Sequence, residues 1–194
     1  ARIDRLDIRK RNMIADNAYP ASTPAGIPLQ DLSHQACLEK LENVMALNVI
    51  KEDQITARED GVYRGIGYAS FIKGTNPGAL IYGPAKVPIS AQDGTTVRFE
   101  PEGGVTCLAG VTEQGQGTET IVAQVVATAI GLPFEEVRVI TGDTDAVPYG
   151  GGTYGSRAAG IGGEASWKAA LKLREQLLEL SAVLLQTKAE KLDI

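Results

Sequence analysis

The sequence predicts an α+β domain, a mixed or antiparallel sheet with packed helices, preceded by a helical lead-in. Three observations carry this. The apolar period changes from helical to strand-like at Gly61. Short glycine-bearing turns at 92–95 and 102–104 separate β-compatible runs. Two helical patterns, 118–130 and the stretch from Ser156 onward, are interleaved with those runs rather than segregated from them.

Taken in order, Ile3, Leu6 and Ile8 with interleaved charge predict a short helix to about Asn12. Pro20, Pro24, Gly26 and Pro28 forbid regular structure, so 13–30 is expected as loop. Asp31 or Ser33 can cap a second helix whose face is Leu32, Ala36, Cys37, Leu41 and Val44, running to about Met45 or beyond. The polar stretch 51–60 reads as a linker or helix tail. This divides the chain into a lead-in, 1–60, and a main domain, 61–194. Strands are expected at 62–73, 85–90, 96–100 and 105–109, joined as an antiparallel meander because the turns are short. Gly65 and Gly67 in the first of them suggest a bulge or a close packing contact. A helix over 118–130 ends at Gly131-Leu132-Pro133, with glycine at the C-cap position and proline just after it. A strand follows at 137–141, then a long helix from about Ser156 to Lys188. Gly160, Gly162 and Gly163 are poor helix formers in its first turns, so close packing against that end is expected.

Composition narrows function. Lys and Arg number 19 against 24 Asp and Glu, giving a net charge of −5. Nucleic acid and membrane surfaces favour a basic face, so neither is an expected partner. No apolar run reaches membrane-span length, and the charged opening 1–10 is no signal peptide, so a cytoplasmic location is expected. The missing initiator Met points to a piece of a longer protein. Cys37 and Cys107 form no CxxC pair, which argues against zinc, a cluster held by this chain, or a disulfide framework. Both are expected as buried reduced thiols. The sole histidine, His34, is expected at the surface or half-buried, with no second ligand nearby.

Chemistry concentrates in two glycine stretches. The first, Thr112-Glu113-Gln114-Gly115-Gln116-Gly117-Thr118-Glu119, joins a strand to an apolar helix. Helix N-termini leave unpaired N–H donors that, with the dipole, favour an anion such as phosphate. Gly115 and Gly117 admit a ligand close to the backbone, and Gln114 and Gln116 add amides that donate and accept. The same residues are also readable as a plain helix capped by Thr118 or Thr120. The second stretch, 142–163, includes Thr153-Tyr154-Gly155-Ser156-Arg157 and leads into another helix start. Two such junctions in one small domain suggest a long ligand held from two sides.

At Thr112–Gly117 the sequence resembles the molybdenum-cofactor-binding large subunit of the xanthine dehydrogenase/aldehyde oxidase family, which carries a Thr-Glu-x-Gly-Gln-Gly turn in this setting. The second stretch, with Thr141-Gly142-Asp143-Thr144-Asp145, Val147-Pro148 and Gly155-Ser156-Arg157, resembles the family's second cofactor loop in order and separation. The resemblance covers nearly the whole chain. It implies part of a molybdenum hydroxylase, which inserts water-derived oxygen into an aldehyde or N-heterocycle. The implied cofactor is molybdopterin, usually as its cytosine dinucleotide in bacteria. The dithiolene of that cofactor holds molybdenum, so no protein metal ligand is expected. Electrons would pass to iron–sulfur (2Fe–2S) and FAD domains or subunits, and the rest of the large subunit would be a further partner. By the same resemblance, Gln114, Gly115 and Gln116 line the first cofactor loop and Gly155, Ser156, Arg157 and Ala158 the second, with Gln116 foremost. Arg157 is readable as a phosphate partner or as a surface salt bridge.

Departures from the family pattern matter. The family's catalytic glutamate lies in a Gly-x-Gly-Glu motif far toward the C-terminus. Gly162-Gly163-Glu164 imitates it but falls in the helix of the second loop, so Glu164 is expected as a helix-surface carboxylate and no catalytic residue is assigned. The segment alone is therefore expected to be inactive; oxidation of an N-heterocycle by it would contradict this. Exposed apolar surface on the final helix and the meander edge is expected, with self-association of the segment as its consequence. The alternative is a cofactor-free structural or interaction domain of the same superfamily, against which the intact Gln-Gly-Gln-Gly and Gly-Ser-Arg stretches speak. A P-loop is excluded because no Gly-Lys-Ser/Thr is present, and no GxGxxG opens a helix in a Rossmann-type unit.

Overall fold

A computed structural model of the chain describes residues 2–78, 82–83, 86 and 91–194. The chain forms two units, Ala1–Ile72 and Lys73–Ile194.

In the first unit, helix α1 (Arg5–Asn12) starts where the Asp4 carboxylate accepts the Leu6 N–H at 2.8 Å, and its last turn carries Arg9, Lys10 and Arg11, favourable at the negative end of the dipole. The loop expected over 13–30 contains a small hairpin, β1 (Ala21–Ser22) with β2 (Pro28–Leu29), closed by the Thr23 N–H to Ile27 carbonyl bond. Helix α2 (His34–Val44) buries Leu38; Leu41 and Val44, expected on its inner face, are exposed. Ala46, in left-handed conformation at φ 47°, breaks the chain before α3 (Leu47–Glu59), so 51–59 is helix body rather than linker. Leu6, Leu38 and Leu47 make a small core with Met13, Ile50 and Tyr68 against it.

The strand expected at 62–73 does not form, and 62–72 has no regular structure. Side chains take its carbonyls instead of a partner strand: Arg5 donates to Ile66 O, Arg9 to Tyr68 O and Gln54 to Arg64 O. Gly65 and Gly67 face open space, so they mark neither a bulge in a strand nor close packing.

In the second unit, β3 (Thr95–Phe99), β4 (Val105–Ala109) and β5 (Val137–Thr141) form a sheet in the order β3-β4-β5. The β3–β4 hairpin is antiparallel, as expected, and turns on Gly103 and Gly104, both at positive φ. The β4–β5 pair is parallel, joined by helix α4 (Thr118–Ile130). The meander is thus cut to one hairpin, and the sheet is mixed; the strand expected at 85–90 lies outside the described residues apart from Lys86, a turn.

The central strand β4 is apolar and nearly continuous in burial, as a strand covered by helices must be. Val122, Val126 and Ile130 of α4 follow at helical spacing and are fully buried, each contributing about 2 kcal/mol. They meet Val105, Cys107, Ala109, Val111 and Ala170 in one core. Helix α4 ends as expected: Gly131, at φ 99°, donates to the Ala127 carbonyl. The final helical stretch begins as a π-turn, Ala158–Gly162, and continues as α5 (Gly163–Leu184). Two of its three early glycines do mark close packing: a Cβ on Gly162 would sit 2.5 Å from Val111 Cγ1, and one on Gly160 2.4 Å from the Asn76 side chain, whereas one on Gly163 would meet only Ala158 O at 4.0 Å. Helix α5 packs on α4 and β3, and Leu180, Val183, Leu184 and Leu185 at its far end are exposed.

Candidate functional site

The parallel strands β4 and β5 end on the same side, where open sheets of this kind place ligands. Two loops leave there, 110–117 toward α4 and 142–157 toward the π-turn. They are stitched together. Thr112 N–H donates to Thr153 Oγ1 at 2.8 Å, and Gln114 Nε2 donates to the Thr153 carbonyl at 2.9 Å. Gly94 N–H donates to Tyr149 O and Gly110 N–H to Gly94 O, both at 3.1 Å. Glycine is required where the loops cross: a Cβ on Gly110 would lie 2.3 Å from Tyr149 O, and one on Gly150 2.4 Å from Gly110 O.

The first loop is organised by Glu113. Its Oε1 accepts the N–H groups of Gln114 (3.1 Å), Gly115 (2.8 Å) and Gly117 (3.1 Å), and its Oε2 that of Glu119 (3.1 Å). These bonds, the Glu119 amide's foremost, hold its carboxyl below the usual glutamate range. Neither Thr118 nor Thr120 caps α4. Gly117 occupies the cap position in left-handed conformation, φ 83°, and the carboxylate of Glu113, four residues before it, does the capping. The phosphate expected from the bare helix start therefore meets a position already filled by the chain's own anion. Gln116 Oε1 accepts the Gln114 N–H at 2.6 Å, while its Nε2 donates to Thr112 O at 3.1 Å and to Thr118 Oγ1. Gln114, Gly115 and Gln116 are all exposed, and a Cβ on Gly115 or Gly117 would meet nothing within 4 Å, so the outer face of the turn is open.

In the second loop, Asp143 Oδ1 accepts the amides of Asp145 and Ala146, fixing a turn. Gly155 and Ser156 are both left-handed, at φ 57° each, and a Cβ on Gly155 would lie 2.8 Å from Pro77 Cγ. Ser156, a non-glycine held there at a cost of about 1 kcal/mol, is exposed. Arg157 points the other way. Its side chain is 0% exposed; Nη1 donates to Gly152 O at 2.6 Å, Nη2 donates to Gln92 O at 3.0 Å, and Asp93 Oδ2 lies 2.6 Å from Nη1. The Asp93 contact is an ion pair rather than an aligned hydrogen bond. Burial pushes the Asp93 carboxyl up, against the downward pull of Arg157 and the Gly151 amide. Ala158 packs on the main core.

The structure thus brings six of the seven expected residues to two tied loops or their rims and faces four of them, Gln114, Gly115, Gln116 and Ser156, outward. It turns Arg157 into the interior, away from both of its expected partners, phosphate and a surface carboxylate, and seats Ala158 on the core. Sequence reasoning missed Asp93, whose Asp-Gly pair reads as hairpin chemistry, and gave no role to Glu113 or Thr153, although both stand in the motifs. Beside the loops lies a pocket of about 530 Å³ walled by Gly110, Thr112, Gly142 and 150–152, within the size range of small-molecule sites.

Elsewhere, Glu164 pairs with Lys168 at 2.6 Å on the exposed face of α5, and that pairing lowers its carboxyl, as a surface carboxylate rather than a base. Cys107 is buried, its thiol pushed up to about 12, whereas Cys37 is exposed, contrary to expectation, because α2 buries only Leu38. His34 is half-buried against the Tyr19 hydroxyl at 3.0 Å. Among the described residues no group of three or more His, Cys, Asp or Glu could hold a metal ion, and no helix is long and apolar enough to cross a membrane.

Comparison with known proteins gives the frame for this geometry. Residues 40–194 match the molybdopterin cofactor-binding domain family. The nicotine 6-hydroxylase large subunit of Paenarthrobacter nicotinovorans is 31% identical over 97% of this chain and 23% of its own length. The carbon monoxide dehydrogenase large chain of Hydrogenophaga pseudoflava is 30% identical over 98% of this chain and 24% of its own. The crystal structure of quinoline 2-oxidoreductase from Pseudomonas putida 86 superimposes with a TM-score of 0.64 at 31% identity, covering 97% of this chain and 24% of that one. The chain therefore spans about a quarter of the length of the relatives it matches. Two glycine loops tied through Thr153 at the ends of parallel strands, and a match running from α2 to the last residue, give one conclusion: the chain belongs to the molybdopterin cofactor-binding domain family of xanthine dehydrogenase-type large subunits.

Proposed function

We propose that this chain forms part of the molybdopterin cradle of a molybdenum hydroxylase, an oxidoreductase working in the cytoplasm as part of a larger complex. The observation that carries it is the pair of tied loops, whose open face fits the cofactor's chemistry. A pterin and its phosphates need many hydrogen-bonding groups and close backbone approach. The loops offer the amides of Gln114 and Gln116, the Ser156 hydroxyl and glycine backbone that a Cβ would not obstruct at Gly115 and Gly117. Molybdenum would be held by the cofactor's dithiolene.

When bound, the cofactor supplies oxygen-atom and two-electron transfer. The chain's residues bind and orient it: Gln114 and Gln116 present the first loop, Gly155 and Ser156 the second, and Thr153 fixes the distance between them. Arg157 and Ala158 support the second loop from beneath. The catalytic base is assigned outside this stretch, so turnover needs residues that 1–194 does not supply. The relatives are named for nicotine, carbon monoxide and xanthine, and a neighbour for quinoline. An electron-poor N-heterocycle or an aldehyde is the substrate class we infer. A cytosine dinucleotide form of the cofactor, and iron–sulfur and FAD partners, complete the reading.

The test is molybdenum and released-pterin content of the intact protein, wild type against Gln116→Ala. Near-stoichiometric molybdenum in the wild type, with a loss of threefold or more in the variant, supports the cradle. A folded, molybdenum-free wild type from a cofactor-competent host would shift the assignment to a cofactor-free structural domain.

A further inference from the structure

We propose that Glu113 is the resident anion of the α4 N-terminus and the positioning residue of the first loop, so that an anionic group of any ligand must bind away from this helix end. Four amides converge on one carboxylate, at 3.1, 2.8, 3.1 and 3.1 Å. Two of them belong to Gly115 and Gly117, whose φ values of 93° and 83° turn their N–H groups back toward residue 113. Such convergence of donors at a helix start is what a phosphate or sulfate ordinarily receives. Here the ligand is the side chain that opens the same turn, and the bonds are charge-assisted.

The arrangement has two consequences. First, the carboxylate sets the loop's shape. With Glu113 in place, the Gln114 N–H is shared with Gln116 Oε1, and the Gln114 side chain is left to reach Thr153 in the second loop. Second, the helix start carries more negative charge than one residue supplies. Glu119, in the first turn, adds a second carboxylate, held by the Thr141 hydroxyl at 3.0 Å. A phosphate brought to the same donors would face both carboxylates. The first loop therefore meets a ligand through neutral amides and backbone, not as an anion cradle. Only this last step rests on the cofactor reading; the resident anion itself does not.

The experiment is chemical rescue in the intact protein. Glu113→Gly leaves the four donors without their acceptor. Its thermal midpoint is expected to fall by about 5 °C and to rise again by about 2–3 °C, saturably, in sodium formate against sodium chloride of equal ionic strength. The wild type is expected to show no formate-specific shift. Glu113→Gln, which keeps the size but not the charge, is expected to fold with a lowered midpoint, no response to formate, and at least threefold less bound pterin. A wild-type midpoint in Glu113→Gly, or equal response to formate and chloride, overturns the proposal. Should Glu113→Gly not fold, wild-type midpoint and pterin content in Glu113→Gln overturn it instead. The rescue is read on the thermal midpoint, so a pterin-free wild type would sink the cofactor reading and leave this one standing.

Discussion

Replacing Arg157 by methionine tests what holds the second loop. The side chain is 0% exposed and engages Gly152 O, Gln92 O and the Asp93 carboxylate, with its guanidinium 5.1 Å from the centre of the Tyr154 ring. Methionine fills much of the volume but leaves Asp93 buried beside no positive charge, and two loop carbonyls without their donors. Removing one member of a buried ion pair costs about 3–5 kcal/mol. Arg157→Lys, which keeps the charge but loses the fork that spans two carbonyls, falls between the two. The double variant Asp93→Asn/Arg157→Met removes the stranded charge and is expected to recover about half of the loss. Urea unfolding midpoints at fixed pH measure all three. The sign of the pH dependence follows from Asp93. Its folded carboxyl lies above the ordinary 3.8, so between those values the folded state holds a proton that the unfolded state has released. Stability from this group therefore falls as pH rises upward from 3.8, until the folded carboxyl ionises. Without Arg157 that window extends to higher pH, and the variant's deficit is expected to be larger at about pH 7 than at about pH 4.5. An Arg157→Met protein within about 1 kcal/mol of wild type, or one whose deficit shrinks as pH rises, would refute the reasoning.

Two further outcomes follow from the packing. A thiol reagent at about pH 8 is expected to modify Cys37 in the folded protein and leave Cys107 untouched until denaturant is added, because only the second is buried with its thiol pushed up to about 12; labelling of both at equal rates would contradict it. Gly162→Ala adds a methyl 2.5 Å from Val111 Cγ1 at helical φ, so the cost is steric rather than conformational, about 1–3 kcal/mol, read as a lowered urea midpoint; a gain in stability, as helix propensity alone would give, would show that the contact relaxes freely.

Much of the second unit is legible in its residues, because its signals are local. Helix α4 begins and ends where the Gly117 turn and Gly131-Leu132-Pro133 place it, and the β3–β4 hairpin turns on Gly103-Gly104. The pairing of the two loops is legible only through the motifs they share with a family; the bonds that tie them run through Thr153, an unremarkable residue in composition. What misled is also local. Val62, Tyr63, Ile66 and Tyr68 read as a strand, yet a strand exists only with a partner, and here arginine and glutamine side chains take the carbonyls. Asp93-Gly94 carries the commonest hairpin signal, which masks a carboxylate whose partner lies on a distant loop. The parallel pairing of β4 and β5 depends on α4 folding back across the sheet, which periodicity alone does not fix.

Two charges in the motifs, Glu113 and Arg157, turn away from the open face: Glu113 onto four backbone amides, Arg157 onto Asp93. This separation has a physical logic. A charge that grips a ligand directly is solvated until the ligand arrives, and its site must reorganise on binding. A charge already matched inside the protein costs no such reorganisation and holds the neutral groups around it in place. Gln114 illustrates it: its position follows from the Glu113 and Thr153 bonds, so its geometry is set before any ligand is present. On this view, substitutions at Glu113 and Arg157 should weaken ligand retention through loop disorder, with little change in its salt dependence. Ser156→Ala, which keeps a Cβ at the same φ, should instead alter retention while leaving the unfolding free energy within about 0.5 kcal/mol of wild type.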